Sequence, residues 1–209
     1  MASDDGLRNG LTRRAFGAAG MMLLSGTFPS GAQGIDPIGA VLQADGNAYA
    51  RLVQTRKLQA AAEILLGDFV WTEARARVAL ALGHATKVYL GPRARLTIDR
   101  FVAERGGELR LGTGSMVFDR PEDADRLDIQ IQTAFGLIGV RGTRFFAGRS
   151  RRVFGIHVAR GLVIFEGGGS TREIRAGQGI DIAAPGARPT LPRPWGAARV
   201  AEAYASVLG

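Results

Sequence analysis

The residue types that most often do chemistry are few in this sequence and lie far apart. Cysteine is absent, and His84 and His157 are the two histidines. Disulfides are therefore excluded, and two distant histidines make a poor set of metal ligands. His157 lies in the alternating segment 156–158, which is typical of a strand, and His84 follows a glycine in a predicted turn. We expect neither of them to be a catalytic base.

The hydroxyl and carboxylate groups give no clearer active site. Ser115 and Ser170 lack the sequence context of a nucleophile elbow. Glu122, Asp123 and Asp125 cluster together, and we interpret them as a solvated loop in preference to a calcium site. A carboxylate pair for glycoside chemistry is left open, because its geometry is not readable from sequence. We therefore predict a protein that is not an enzyme and that needs no cofactor and no metal.

One glycine-rich segment is the most informative part of the chain. Glycine recurs there at every third position, which suits a strand with bulges or tight bends better than a helix or a plain strand. Arg141 lies between these glycines, and we expect it to be half-buried, with its guanidinium paired to a carboxylate in a structural role. The segment is Thr133-Ala134-Phe135-Gly136-Leu137-Ile138-Gly139-Val140-Arg141-Gly142-Thr143.

The elements that would position these residues are short strands. Apolar and polar residues alternate in many segments, with turn residues about every ten positions, which predicts an all-β sandwich or roll of many short strands. A β-solenoid-like stack is the alternative, since glycine-containing turns recur roughly 22–25 residues apart. We predict a hairpin turn at Arg160-Gly161 and another turn at Ala176-Gly177. The predicted strands are 38–41, 47–50, 69–72, 77–82, 87–90, 95–98, 108–111, 128–133, 153–159, 162–165, 172–174 and 180–182.

The C-terminal region differs from the rest. A proline-rich segment, 185–194, is interpreted as a linker. Beyond it, Val200, Tyr204, Val207 and Leu208 have helical spacing and predict a short amphipathic helix. We expect this helix to cap the sheet, with a partner-binding helix as the alternative. The predicted organisation is a signal peptide over 1–34, a β-domain over 35–184, and the linker and helix over 185–209.

The N-terminus predicts export. Arg13 and Arg14, with Phe16 close behind, form a twin-arginine pattern, and small residues at 30–32 resemble a cleavage site. The apolar run between them is about 14 residues long, shorter than the roughly 20 that span a bilayer. We therefore expect no transmembrane segment in the mature chain, and a periplasmic or secreted protein exported by the twin-arginine route. An amphipathic or disordered basic N-terminus is the alternative.

The charge of the chain narrows the class of partner. The formal net charge is +8, and nearly all the cations are arginines. No helix-turn-helix, zinc-finger or RNA-binding motif is present, and no aromatic ladder interleaves the basic residues, so we predict no nucleic-acid partner. Anionic envelope material or an acidic protein face is the expected counterpart.

Several elements in this chain resemble, in order, those of the FecR domain family. Residues 67–72 are similar to its Gly-Asp-x-Val-x-Thr element, and residues 90–96 to its Leu-Gly-x-x-Ser-x-Leu turn. Residues 133–145 resemble its Thr-Pro-x-Gly-x-x-x-Val-Arg-Gly-Thr-x-Phe signature, with Ala134 in place of the proline. The positions that carry the resemblance include Gly67, Asp68, Thr133, Gly136, Val140, Arg141, Gly142, Thr143, Phe145, Gly161 and Gly177.

The resemblance implies an all-β, non-enzymatic periplasmic domain. The regulator that names the family relays a signal from an outer-membrane transducer to a cytoplasmic sigma factor. What carries over here is a protein-binding sensory or signal-transduction module in the cell envelope, with an envelope protein as its partner. The alternative is an accessory protein that binds an anionic polysaccharide or peptidoglycan through arginine-rich turns. The candidate contact surfaces are Phe101–Val102, Phe145–Phe146 and the terminal helix.

Overall fold

Segments that alternate apolar and polar residues form β-strands in this computed structural model, which describes residues 36–102, 106–124 and 128–209. In the strand Arg77–Leu82, for example, alternate residues are fully buried and the others only half-buried, as strand geometry requires. The strands are β1 (Pro37–Asp45), β2 (Ala48–Arg51), β3 (Thr55–Lys57), β4 (Glu63–Leu65), β5 (Phe69–Thr72), β6 (Arg77–Leu82), β7 (Thr86–Leu90), β8 (Arg95–Val102), β9 (Gly106–Thr113), β10 (Met116–Asp119), β11 (Asp128–Thr133), β12 (Gly136–Ser150), β13 (Val153–Gly167), β14 (Ser170–Arg175), β15 (Gln178–Ile182) and β16 (Arg193–Pro194), followed by helix α1 (Ala197–Leu208).

Strands β12 and β13 form the spine of the fold. Each has 15 residues, and they pair antiparallel along their length. The other edge of β12 pairs with β11 and then with β10, while the other edge of β13 pairs with β15 and then with β14. The spine therefore joins two wings of one curled sheet. The first wing contains β3-β2-β5-β8-β9-β11 and β14, and the second contains β4-β1-β6-β7-β10, β15 and β16.

The two wings enclose a single apolar core. Val70, Leu96 and Ile131 of the first wing belong to the same buried cluster as Leu80 and Phe118 of the second. Every described strand pair is antiparallel except β9 with β11, so the chain is a roll and the solenoid-like alternative is set aside. The predicted all-β architecture of many short strands with a short C-terminal helix is confirmed.

A double bulge bends the spine between the wings. The register of β12 with β13 shifts between Arg141 and Arg144, where Gly142 has φ +55° and Gly161 has φ +80°. A Cβ on Gly161 would lie 2.4 Å from the carbonyl oxygen of Gly142. The predicted hairpin turn at Arg160-Gly161 is therefore wrong. The glycine supplies a bulge within one continuous strand, because the residues on either side of it both pair with β12.

A buried carboxylate ties the edge strands β3 and β4 together. Asp68 is fully buried, and its Oδ1 accepts a hydrogen bond of 2.9 Å from Arg56 Nη1 on β3. Its Oδ2 accepts from Arg56 Nη2 and, at 2.8 Å, from the backbone N–H of Leu65 on β4. Arg56 Nη2 also donates to the carbonyl of Glu63 at 3.1 Å. One ion pair thus joins the free edges of the two wings.

The two family-like elements near Thr72 and Gly91 are hydrogen-bond partners. Thr72 is buried, and its hydroxyl donates to the carbonyl of Gly91 at 2.6 Å and accepts from the backbone N–H of Ala94 at 2.9 Å. The threonine therefore fixes the turn that precedes β8. This contact explains why a small hydroxyl residue suits the end of β5.

The C-terminal region packs on the outer face of the second wing. Residues 185–194 do not behave as a free linker, because β16 pairs with β15 and Asp181 N–H donates to Thr190 Oγ1 at 3.0 Å. Helix α1 buries Arg199, Ala203 and Val207, whereas Leu208, predicted on the apolar face, is 40% exposed. No helix in the described ranges is long and apolar enough to cross a bilayer.

The seam between β3 and β4 yields a stability prediction. Asp68→Asn should lower the free energy of unfolding by about 2–3 kcal/mol, because it leaves Arg56 without its buried counter-charge. Glu173→Gln removes the acidic partner of an exposed pair with Arg175 and should cost less than about 1 kcal/mol. Urea unfolding of the two variants measures the difference, and equal midpoints would contradict the assigned role of Asp68.

The bend in the spine yields a second prediction. Gly161→Ala should destabilise the fold by about 3 kcal/mol or more, since it adds a backbone clash to the strain of positive φ. Gly177→Ala is the matched control, because Gly177 also has φ +80° but a Cβ there would meet nothing within 4 Å. It should cost only the conformational penalty of about 1–2 kcal/mol. Thermal unfolding of both variants separates the effect of the backbone clash from the cost of a positive φ. Equal losses of stability in the two variants would show that the close approach at Gly161 is unimportant.

Candidate binding groove

A groove lies where the ends of β9 and β11 meet the turn between β12 and β13. The turns after β9, β11 and β12 surround it, and its volume is about 330 Å³. A shallower shelf along Arg110 and Gln132 continues from it and shares four of its lining residues. The groove is lined by Leu111, Gly112, Thr113, Gly114, Thr133, Ala134, Phe135, Arg149, Arg152, Val153, Phe154 and Ala183.

Two stacked phenylalanines contribute the apolar part of the groove. The rings of Phe135 and Phe154 are 4.2 Å apart between centroids and nearly parallel, at 11°. Phe154 is buried and Phe135 is half-buried, so Phe135 presents the more accessible ring. Thr133 fixes the turn that carries Phe135, because its hydroxyl accepts from the N–H groups of Phe135 and Gly136 and donates to the Gly136 carbonyl.

The lining contains two arginines and no acidic side chain. Arg149 and Arg152 are exposed, and among the described residues neither has a carboxylate partner. Arg110 on the adjoining shelf differs, because it donates to Gln132 Oε1 at 3.0 Å and pairs with Asp99 at 3.1 Å. The groove proper is therefore positively charged and can accept an anionic group.

The turn that carries Arg152 is strained. Arg151 and Arg152 connect β12 to β13, with φ values of +50° and +73°. A two-residue hairpin turn needs positive φ at both positions, which Asn-Gly supplies cheaply. Arginine in this conformation costs about 1–2 kcal/mol at each position. Backbone strain often occurs at functional sites, and Arg152 of this turn lines the groove.

The residues considered for catalysis are dispersed. The Ser115 hydroxyl accepts from the N–H of Arg149 at 3.1 Å, and Ser170 donates to the Gly167 carbonyl at 3.3 Å. Both hydroxyls therefore hold backbone in place. His84, Glu122 and Asp123 are exposed at the surface, and Asp125 lies outside the described residues. The described ranges contain no cluster of acidic and histidine side chains that could hold a metal ion.

His157 is buried in an aromatic and cationic cluster beneath α1. Its ring stacks on Trp195 with centroids 5.2 Å apart, and its Nδ1 lies 3.4 Å from the Tyr204 hydroxyl. The Arg199 guanidinium lies 3.5 Å from the Trp195 ring centroid and donates to both oxygens of Asp181, at 2.5 and 3.1 Å. These contacts anchor the C-terminal region. They account for the burial of His157 by a structural role, with no catalytic role assigned to it.

The environment of this cluster shifts the pKa values of its members. Burial, followed by the positive charge of Arg199, lowers the pKa of His157. Burial alone would raise the pKa of Asp181, but hydrogen bonds and charges from Arg199 and Arg193 outweigh it and hold that pKa below its usual range. Burial also raises the pKa of Tyr204. The cluster is therefore built around a neutral histidine and an ionised aspartate.

The family-like positions mostly build the fold. Gly67 has φ +88° in the turn before Asp68, and a Cβ on Gly136 would lie 2.3 Å from the Glu166 carbonyl oxygen. Val140, Thr143 and Phe145 are buried, and Gly177 has φ +80° in the β14–β15 turn. The signal motif Arg13, Arg14 and Phe16 lies outside the described residues.

The environment of Arg141 differs from the one that we predicted from the sequence. It is exposed, and no carboxylate among the described residues pairs with it. The reason is strand alternation: Val140 points into the core, so Arg141 on the next position points away from it. The expected half-buried, ion-paired role is therefore wrong.

The candidate contact surfaces also need correction. Phe101 is 3% exposed and Phe145 and Phe146 are fully buried, so none of these rings forms a contact surface. The side chain of Val102 lies outside the described set. Sequence reasoning missed Phe135 and Arg152. The one local signal was the pair Arg151-Arg152 at a tight turn between two strands, where Asn-Gly would be the ordinary choice.

The buried histidine yields a pH prediction. An unfolded histidine titrates near pH 6.5, whereas the folded pKa of His157 is lower. The stability linked to His157 is therefore complete above pH 6.5 and is lost as pH falls from 6.5 through the lowered folded pKa. His157→Gln should flatten the fall in melting temperature between pH 7 and pH 5, and His84→Gln on an exposed turn is the matched control. An equally steep fall in His157→Gln would contradict this role.

Comparisons with known proteins agree with this structure. The FecR protein family model matches residues 68–164. Two crystal structures of a candidate anti-sigma factor from Parabacteroides distasonis ATCC 8503 have a similar fold, with a TM-score of 0.54 and 15% identity in each case. The match covers 64% of this chain and 62% of that chain, so this chain spans less than two thirds of that protein's length. No curated protein matches it.

The family match includes the buried Asp68 at its start and both glycines of the bent spine, so it coincides with the contacts that hold the fold together. The resemblance of this chain to the FecR protein family is therefore confirmed over residues 68–164.

Proposed function

We propose that this chain is an exported, non-catalytic regulatory module that binds an envelope protein and takes part in signal transduction. The FecR domain supports the regulatory class, and so does the fold shared with a candidate anti-sigma factor. The observation that carries protein binding is the groove: a positively charged concave site with an apolar floor, maintained at the expense of a strained turn. Such a site suits the binding of a protein segment, and its lining contains no histidine, cysteine, serine or carboxylate that could act as a nucleophile or base.

The proposed location is the periplasm. The twin-arginine pattern at Arg13 and Arg14 supports export of a folded chain. A fold without cysteine suits that route, because it needs no oxidation after transport.

A second candidate function is the binding of an anionic polysaccharide or peptidoglycan. The observation that favours it is the same two arginines beside an aromatic ring, which have no carboxylate partner in the part of the chain that the structure describes. Sugar carboxylates also pair with guanidinium groups. The two functions differ in salt dependence. Binding through many exposed charges weakens steeply as ionic strength rises, whereas a protein interface with an apolar centre resists salt.

The test uses the tagged full chain expressed in its own host. Fractionation should place the chain in the periplasm, and Arg13→Lys with Arg14→Lys should retain it in the cytoplasm. From the periplasmic fraction, the chain should retain one protein in stoichiometric amount through stepwise salt elution. The double variant Arg149→Gln with Arg152→Gln should lose that protein.

The matched control removes the same charge elsewhere. Arg75→Gln with Arg188→Gln changes two exposed arginines that do not line the groove, and it should retain the partner. Release of glycan alone at modest salt would favour the second candidate. A partner retained equally by both double variants would place the contact outside the groove.

A further inference from the structure

We propose that the groove takes an acidic, aromatic-bearing segment of a polypeptide. In this assignment an aromatic side chain of the segment stacks against Phe135, and carboxylates on either side of it pair with Arg149 and Arg152. The inference rests on the proposed protein-binding function and goes further, because it specifies the chemistry of the bound segment. It follows from four features of the groove.

The first feature is the accessible ring. Phe154 is 8% exposed and covers one face of Phe135, with the two rings nearly parallel. Phe135 remains half-buried, so its remaining surface faces the groove that it lines. An aromatic side chain of the ligand can extend this existing stack in the offset geometry that aromatic pairs prefer. An aliphatic or purely polar ligand would leave that ring without a matching partner.

The second feature is uncompensated positive charge. Arg149 and Arg152 have no carboxylate partner among the described residues, and the groove lining holds no acidic side chain. Arg56 and Arg199 differ from them, because Asp68 and Asp181 neutralise these two arginines locally. A guanidinium fork binds a carboxylate through two parallel hydrogen bonds. The groove therefore selects acidic side chains or a chain terminus and rejects basic segments.

The third feature is the exposed backbone of Gly112. The register of β9 with β8 shifts beside this residue, and β11 ends at Thr133, which is opposite Leu111. Gly112 therefore has no register partner in either neighbouring strand. It is exposed and lines the groove. Without a side chain, it lets another main chain approach closely. This feature favours an extended peptide over a glycan.

The fourth feature is size. A volume of about 330 Å³ is at the lower end of the range for small-ligand sites. A groove of this volume can hold a few consecutive side chains of a linear segment, but it cannot hold a folded domain. The partner should therefore contribute a short exposed segment, while the shelf beside Arg110 guides the chain on either side.

The strained turn provides the decisive variant. Arg151→Asn with Arg152→Gly replaces two strained arginines by the residues that a two-residue hairpin turn prefers. This variant should raise the melting temperature while it removes one of the two cations from the groove. A purely structural role for the turn predicts no loss of binding in a more stable protein. The Arg149→Gln variant removes the other cation and leaves the backbone bond from Arg149 to Ser115 in place.

The experiment measures fluorescence polarisation of defined, labelled probes with the purified chain. The probes are a glutamate-rich peptide with a central phenylalanine, the same peptide with serine in its place, the same peptide with lysines for glutamates, and oligogalacturonate. The acidic aromatic peptide should bind tightest, the serine peptide should bind about fivefold more weakly, and the lysine peptide should not bind. The turn variant and Arg149→Gln should each weaken binding about tenfold. Arg75→Gln should bind as the unaltered chain does.

Three results would overturn the proposal: equal affinity for the serine peptide, unchanged affinity in the stabilised turn variant, or tighter arginine-dependent binding of oligogalacturonate. Failure of the proposed function is separately visible. Peptide binding by a chain that captures no periplasmic protein would keep the groove assignment and remove the module function. Capture of a partner by the turn variant would keep the module function and remove the groove assignment.

Discussion

The close approach of two backbones at Gly142 and Gly161 is the constraint on which this fold depends. A side chain at position 161 would meet the carbonyl oxygen of Gly142, so the spine can bend there only with glycine. The bend turns one continuous sheet into two wings that share a core. Without it, β12 and β13 would form a flat ribbon with one face exposed. Most family-like positions therefore serve the architecture.

The local elements were readable from the sequence because they depend on local rules. Period-two alternation identifies a strand wherever one face is buried, and it located most strands here. The hairpin predicted at Gly161 failed for a physical reason: a bulge and a tight turn both require a glycine with positive φ, and only the partner strand distinguishes them. The prediction that Arg141 is half-buried was wrong because strand alternation points its side chain away from the core once Val140 points into it. A one-residue change of register reverses which side chains are buried.

The groove was beyond sequence reasoning because no single segment contains it. Its ring comes from the turn after β11, its cations from the end and turn of β12, and its exposed glycine from the end of β9. These turns meet only after β9 and β11 pair in parallel, the one parallel pairing in the described sheet. Aromatic content did not help either. Phe146 and Phe135 are both phenylalanines in or beside the glycine-rich segment, and the sequence does not distinguish them. Phe146 is fully buried under α1, whereas Phe135 lines the groove.

The position of the spine along the chain has a consequence for how the protein reaches this structure. Strands β1 to β11 are synthesised before β12, so the edges of β10 and β11 that pair with β12 stay open until it has been made. Each wing can therefore pair within itself, through β7 with β10 and β9 with β11, before the spine that joins the wings exists. Until residue 167 has left the ribosome, the early strands expose unpaired edges and unburied apolar faces. Such non-local pairing slows folding, because the early edges must wait for strands that are distant in the sequence.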